Sequence, residues 1–280
     1  MEASFPAEDY DLAATLSCGQ AFRWRQTEGG WEGVIDGRWV RLRQVPGVVH
    51  AETTSEPGDW AWLQEYLQLD VVLSRVLATF PADPPMAAAA QTCRGLRLLR
   101  QNVWECLASF ICSSNKQIVQ IQQIIELLCR RFGAPLAVPP GRAPAWSFPS
   151  AARLAEAAET DLRACKMGFR APYLLKTAQR VARGEINLTR LRSLPLCEAR
   201  QELLNLPGVG RKIADCVLLF GCGFPTAFPV DVWVMKALRE LYFPRRHVKL
   251  KRLHHFSENH FGPHAGYAQQ YLFHYVRTRR

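Results

Sequence analysis

A chain of 280 residues, 48% of them hydrophobic, can bury the core of one or two domains, and no run approaches the ~18 consecutive apolar residues of a membrane span. Its nine cysteines are odd in number and include no Cys-x-x-Cys pair, so they read as buried thiols of a reducing compartment, and no signal peptide is expected before Cys18. The net charge of +10 is uneven: residues 1–90 hold 6 Lys and Arg against 13 Asp and Glu, while residues 91–280 carry +17, which fits salt-sensitive phosphate binding by the second part.

Residues 20–54 predict strands. QAFRWRQ, WEGVIDG, RWVRLRQV and VVHAET alternate apolar and polar residues and are separated by Gly-Gly, Asp-Gly and Pro-Gly turn signals. They suggest an antiparallel sheet in hairpin order. From Trp60 the periodicity turns helical and stays so to the end. The PADPP stretch at 81–85 marks a junction, giving an α+β chain with a β domain over 1–85 and a helical domain over 86–280. No internal repeat is present, and the loose segment is 134–149.

Within the helical part, GLRLLRQNVWECLASFICSSNKQIVQIQQIIELLCRRFG holds two amphipathic helices joined near Ser113, Ser114 and Asn115. Ser114 and Gln117 have the spacing of a capping box. In ACKMGFRAPYLLKTAQRV, taken residue by residue, Phe169 reads as core and Arg170 as a solvated charge.

Residues 203–233 carry the strongest pattern. An apolar helix ends at Pro207, a tight turn follows at Gly208, Val209 and Gly210, and a second helix starts at once with RKIADCVLLF. The glycines permit positive φ and close approach of another backbone, and the new helix offers N–H groups and a positive dipole end to a phosphate. This is a helix-hairpin-helix, spanning 203–212, a clamp on a nucleic-acid backbone. Lys212 lies in the first turn of that helix, at the border of the apolar face made by Ile213, Cys216, Val217 and Phe220. Partial desolvation beside a positive helix end favours a neutral, nucleophilic amine. Asp231 heads a third helix, VWVMKALRELY, and reads equally as its N-cap, bonded to the Val234 N–H, or as a partner for Lys212. The run RRHVKLKR at 245–252 is either a phosphate patch or a solvated loop. In the C-terminal helix, Gln269 and Phe273 share a face at i, i+4 spacing; a hydrophobic terminal helix explains Phe273 but not Gln269 beside it.

LPGVGRKIADC followed by FPVDV resembles the signature of helix-hairpin-helix base-excision DNA glycosylases. TLSCGQAFRW near the start and GYAQQYLF near the end are similar to the 8-oxoguanine branch of that family. The resemblance runs from about Gly19 to Arg277. It implies a bifunctional glycosylase and β-lyase, with Lys212 attacking the sugar C1′ and Asp231 assisting. It implies a base pocket in which the Gly19 carbonyl accepts the N7–H peculiar to oxidised guanine and Gln269 reads the Watson–Crick edge. Phe273 stacks on one face of the base and Cys216 lies on the other, with Phe220 beyond it. Asn115 fills the gap left by the extruded base, Phe169 acts as a wedge, Arg170 contacts the opposite cytosine, and Gly208, Gly210 and Arg211 meet the backbone. The resemblance also allows a structural cation on the carbonyls of Leu204, Leu206 and Val209, but no cofactor. The iron–sulfur spacing of some relatives is absent. The expected partner is duplex DNA containing oxidised guanine, bound by a monomer inside the cell and away from membranes.

The chain departs from eukaryotic relatives at three points. Lys116 and Gln117 stand where two further asparagines would follow Asn115. Gln120 replaces an arginine that helps to read cytosine. Trp233 replaces a histidine two residues past the aspartate. Two other readings remain open. An endonuclease III-type glycosylase for oxidised pyrimidines would share Lys212 and Asp231. A non-catalytic hairpin module would need only Gly208 and Gly210.

Overall fold

The computed structural model describes residues 1–56, 58–244 and 248–279. Arg245, Arg246 and His247, the start of the RRHVKLKR run, lie outside the described residues. Five strands form one antiparallel sheet in the order β1-β5-β4-β3-β2: β1 (Glu2–Pro6), β2 (Arg25–Thr27), β3 (Gly30–Ile35), β4 (Arg38–Val45) and β5 (Val48–Thr53). Strands β2 to β5 are a meander of hairpins, as the turn signals require, and β1, which alternation did not reveal, pairs with the free edge of β5. Trp31, Leu42, Ala51 and Ala3 stand opposite one another across four strands and form one row of the sheet. The buried Val40, Leu42, Val49 and Ala51 share a core with Leu12 and Leu16 of α1 (Leu12–Ser17) and Leu63 and Leu67 of α2 (Ala61–Leu67).

The strand expected over residues 20–26 is confined to Arg25–Thr27. The reason is that residues 20–24 turn their side chains toward the helices. Gln20 donates from Nε2 to Arg97 O at 2.8 Å and accepts from Leu99 N at 2.8 Å. Phe22 meets Phe110 edge-on with ring centres 5.4 Å apart, and Trp24 donates to Tyr66 OH at 2.9 Å. Gly33 of β3 lies flat against Trp24: a Cβ there would come within 2.6 Å of the indole. This linker therefore staples the sheet to the helical layer.

The helical layer contains α3 (Leu73–Leu77), α4 (Pro84–Thr92), α5 (Val103–Cys112), α6 (Ile118–Phe132), α7 (Ala151–Ala155), α8 (Glu159–Leu162), α9 (Ala171–Ala182), α10 (Leu196–Leu204), α11 (Arg211–Cys216), α12 (Val232–Tyr242), α13 (Leu250–His260) and α14 (Ala265–Thr278). A small hairpin, β6 (Pro135–Leu136) with β7 (Ala145–Trp146), interrupts it within the segment expected to be loose. Helix α5 is buried over nearly its whole length and packs against α6, α9 and α11. The single helix expected from RKIADCVLLF widens into π-helical turns over Val217–Cys222. Its carbonyls bond outward there: Leu219 O accepts from Arg100 Nη1 at 3.2 Å, Phe220 O from Gln101 N at 2.8 Å and Gly221 O from Arg192 Nη2 at 3.0 Å.

The Ser114–Gln117 capping box does not form. Helix α6 begins later, with Gln117 as N-cap and the Gln117 N–H bonded to Gln120 Oε1 at 3.1 Å. The same logic operates three residues further along, and the Ser114 carbonyl is used elsewhere.

Candidate active site

A cleft of about 780 Å³ opens between α5, α6, α11, α12 and α14. Lys212, Asp231, Cys216, Phe220, Gln269, Phe273, Gly19, Asn115, Gly208 and Gly210 all line it. Ten residues from Gly19 to Phe273 thus converge on one surface. Phe169, Arg170 and Arg211 do not line it.

Helix α11 and the preceding turn place the amine. Gly208 has φ +76°, and a Cβ there would stand 2.6 Å from Tyr173 Cβ, so both conformation and packing select glycine. Gly210 is different. Its backbone is extended, with φ −91° and ψ 177°, and a Cβ would meet nothing within 4 Å. Its missing side chain leaves space for an approaching molecule and is not needed for the turn. Lys212 Nζ donates to Ser113 Oγ at 3.2 Å and stands 4.9 Å from the centre of the Phe110 ring. Asp231 caps α12: its Oδ1 accepts from Trp233 N at 3.0 Å and Val234 N at 2.8 Å. The Val234 bond is the one expected from sequence. Among the described residues Lys212 and Asp231 do not form an ion pair. Arg211 turns away from the cleft, pairing with Glu258 of α13 and lying 3.6 Å from the buried Asp215, which also accepts from Arg200 Nε at 2.7 Å. Burial pushes the Asp215 carboxyl up, and the two guanidinium groups oppose that.

The far wall carries Gly19, Gln269 and Phe273. Gly19 takes φ +81°, and a Cβ would fall 2.8 Å from Ile118 Cδ1. The preceding carbonyl, Cys18 O, accepts from Gln270 Nε2 at 3.1 Å. No donor takes the Gly19 carbonyl among the described residues. Gln269 is 4% exposed, and its Oε1 is buried without a partner. An unpaired buried acceptor costs about 1–3 kcal/mol, so such a group in a cleft wall points to a ligand that supplies the donor. Phe273 carries the Arg277 guanidinium over its ring at 5.1 Å. Phe220 stacks on Phe110 at 5.8 Å, and burial pushes the Cys216 thiol up to about 12, with Lys212 opposing. Cys216 is thus a thiol, and it acts as an apolar wall.

The probing loops depart from what single residues suggested. Phe169 is 53% exposed and not core. Arg170 is buried and not solvated, donating to Ser114 O from Nε at 2.8 Å and from Nη2, and to Met167 O from Nη1 at 3.1 Å. Asn115 is exposed, at φ +53°. Ser113, Phe110, Gln270 and Arg277 were not singled out by sequence. The only signal for the first two was their i, i+3 spacing at the end of α5.

Family models describe the same architecture. Residues 3–107 match the N-terminal domain of 8-oxoguanine DNA glycosylase, and residues 108–260 match the HhH-GPD superfamily of base excision DNA repair proteins. The chain belongs to this family. It is 34% identical to the N-glycosylase/DNA lyase of Saccharomyces cerevisiae over 94% of this chain and 82% of that protein. It is 32% identical to the N-glycosylase/DNA lyase OGG1 of Arabidopsis thaliana over 94% of this chain and 76% of that one. A solved structure of Clostridium acetobutylicum 8-oxoguanine glycosylase/lyase, in complex with double-stranded DNA containing cytosine opposite 8-oxoguanine, superposes with a TM-score of 0.92 at 33% identity, covering 100% of this chain and 98% of that one. In this HhH-GPD chain the hairpin, the glycine-proline loop and the capping aspartate keep the order of the superfamily signature, and Lys116, Gln117 and Trp233, three of the departures, line the cleft. No helix among the described residues is long and apolar enough to cross a membrane.

Proposed function

We propose that this chain excises 8-oxoguanine from duplex DNA, by preference opposite cytosine, and nicks the strand at the resulting abasic site. The observation that carries the reading is one cleft holding both a lysine amine and a buried amide acceptor without a partner, Gln269 Oε1. Flipping the base costs a few kcal/mol of stacking, and an exposed aromatic such as Phe169 can recover part of it by entering the stack. In the cleft, Gln269 Oε1 accepts from the N–H groups of the purine edge. The Gly19 carbonyl accepts from N7–H, which normal guanine lacks. Phe273 and the Cys216 wall sandwich the ring.

Neutral Lys212 attacks C1′ as the bond from C1′ to the base nitrogen breaks, and the base leaves with the electron pair and takes up a proton. Asp231 stabilises positive charge on the sugar. The amine adduct opens to a Schiff base, loss of a C2′ proton follows, and the 3′ phosphate leaves by β-elimination. The hairpin holds the backbone through N–H groups around Gly208 and Gly210. Arg211 braces that clamp from behind through Glu258 and Asp215. A structural cation on the carbonyls of Leu204, Leu206 and Val209 is compatible with hard oxygen donors; Leu206 O already accepts from Val209 N at 3.2 Å. The enzyme works as a monomer, without a cofactor, where the cell keeps its DNA. Incubation with a labelled duplex bearing 8-oxoguanine opposite cytosine tests this: a nicked product is expected, and an intact strand after alkaline treatment would refute it.

A further inference from the structure

Two sets of hydrogen bonds meet at the turn between α5 and α6. On one side is the nucleophile. Lys212 Nζ donates to Ser113 Oγ at 3.2 Å, and the Ser113 hydroxyl donates its own hydrogen to Phe110 O at 2.7 Å. A hydroxyl whose hydrogen is committed in this way can only accept from the amine. The Phe110 ring, 4.9 Å from Nζ, presents a negative face. Both contacts tie the amine to the end of α5.

On the other side, the carbonyl of the very next residue, Ser114, receives two donors of the Arg170 guanidinium, whose third contact is Met167 O. Arg170 is 4% exposed, and no carboxylate pairs with it among the described residues. Its Cζ lies 4.2 Å from the ring of Phe169, the exposed aromatic. A buried guanidinium satisfied only by carbonyls is poised to exchange them for a better-matched acceptor pair. Asn115, the next residue, is held at φ +53°, a conformation that few non-glycine residues adopt. The turn is thus pinned by Arg170 on one peptide and holds Lys212 through the adjoining side chain.

We infer that Ser113 is a positioning residue that latches Lys212 in a non-attacking state, and that departure of Arg170 from the Ser114 carbonyl opens the latch. The inference rests on the glycosylase/lyase reading above. Once the lesion is extruded, an opposite cytosine presents N3 and O2 as adjacent acceptors, which match two guanidinium donors. Adenine presents N1 flanked by an amino donor and cannot draw Arg170 out as well. Opposite-base preference then lies partly in when the amine is freed, and not only in how tightly the duplex is bound.

Single-turnover excision at saturating enzyme tests the latch, with 8-oxoguanine placed opposite cytosine and opposite adenine. Ser113→Ala should raise the rate opposite adenine and narrow the cytosine-to-adenine ratio by about threefold or more, since the hydrogen bond that holds the amine is removed. Ser113→Cys, which keeps the buried volume with a poorer acceptor, should narrow it in the same direction. In an Arg170→Ala background, Ser113→Ala should add no further narrowing. A ratio unchanged or widened in both serine variants, or effects of Ser113→Ala and Arg170→Ala that simply multiply, would overturn the latch. Failure of borohydride to trap the wild type on lesion DNA would be a separate result, overturning the lyase reading itself.

Discussion

Lys212 directs its amine to Ser113 Oγ at 3.2 Å, although Asp231 lines the same cleft. Asp231 is occupied in its turn, its Oδ1 shared by the N–H groups of Trp233 and Val234. The two groups are therefore held by separate contacts, and in the proposed reaction substrate brings them together. Cap and catalyst are not competing descriptions of Asp231. Capping uses one oxygen and fixes the carboxylate in the cleft wall, which leaves Oδ2 for the sugar.

Two substitutions separate these roles. Asp231→Asn keeps the capping oxygen and removes the charge, so stability should change little while base release slows by on the order of 10²-fold or more. Asp231→Ala should slow it similarly and also cost about 1 kcal/mol of stability. Thermal melts together with single-turnover rates check both. An Asp231→Asn enzyme of normal rate would leave the residue as a cap alone.

Under the proposed function, Gln269 trades stability for recognition. Its unpartnered Oε1 is a cost in the free protein, so Gln269→Met should raise stability by about 1 kcal/mol, up to ~3 if nothing else relaxes. The same change should weaken discrimination of 8-oxoguanine from guanine and lower kcat/KM. A Gln269→Met protein that melts earlier would show that the amide is satisfied in solution.

Cytosine preference should be graded. Gln120, in the position of a cytosine-reading arginine, spends its Oε1 on the Gln117 N–H, which leaves only its amide NH2 where a guanidinium would offer a two-donor fork. Arg170 remains. Arg170→Ala should flatten the ranking of the four opposite bases, each contact being worth about 1–3 kcal/mol, more than it lowers the best rate. It should also destabilise the protein, because the Ser114 carbonyl loses its donors. Excision against each opposite base at one salt concentration decides. An unchanged ranking would mean that cytosine is read by another residue.

Much of this site was legible because it lies where chain geometry is local. Gly208, Lys212 and Asp231 stand within one hairpin and its loop, and Gln269 and Phe273 on one helix face, so spacing together with the resemblance to glycosylase motifs grouped them. Two kinds of feature were not legible. Residues 20–24 alternate like a strand, but their side chains are claimed by Leu99, Phe110 and Tyr66, contacts that no local period encodes. Arg170 reads as solvated, since arginine is rarely buried, until a carbonyl 56 residues away is seen to accept from it. Arg211 likewise finds Glu258 only through tertiary contact with α13, whereas Asp215 is its i+4 neighbour on α11.

Burial pushes the Glu105 carboxyl up to about 7, against an ordinary value of 4.5; Arg23, 3.8 Å away, opposes this and Asp36 adds to it. The folded protein therefore keeps a proton that the unfolded chain releases between those values. Above about 7 the buried charge is a full cost, and the cost disappears as pH falls toward 4.5. Glu105→Gln should stabilise the protein by about 1–3 kcal/mol near pH 8 and by much less near pH 5. Thermal unfolding at the two pH values measures the difference. Equal stabilisation at both would assign the effect to packing and not to charge.

The measurement that tests the central claim most directly is borohydride trapping on a duplex carrying 8-oxoguanine opposite cytosine, with wild type and Lys212→Gln compared at equal duplex binding. The wild type should become covalently linked to the strand and release a nicked product. Lys212→Gln should do neither, while binding the duplex through the backbone N–H groups of its hairpin. A covalent adduct formed as readily by Lys212→Gln would place the nucleophile elsewhere and contradict the account.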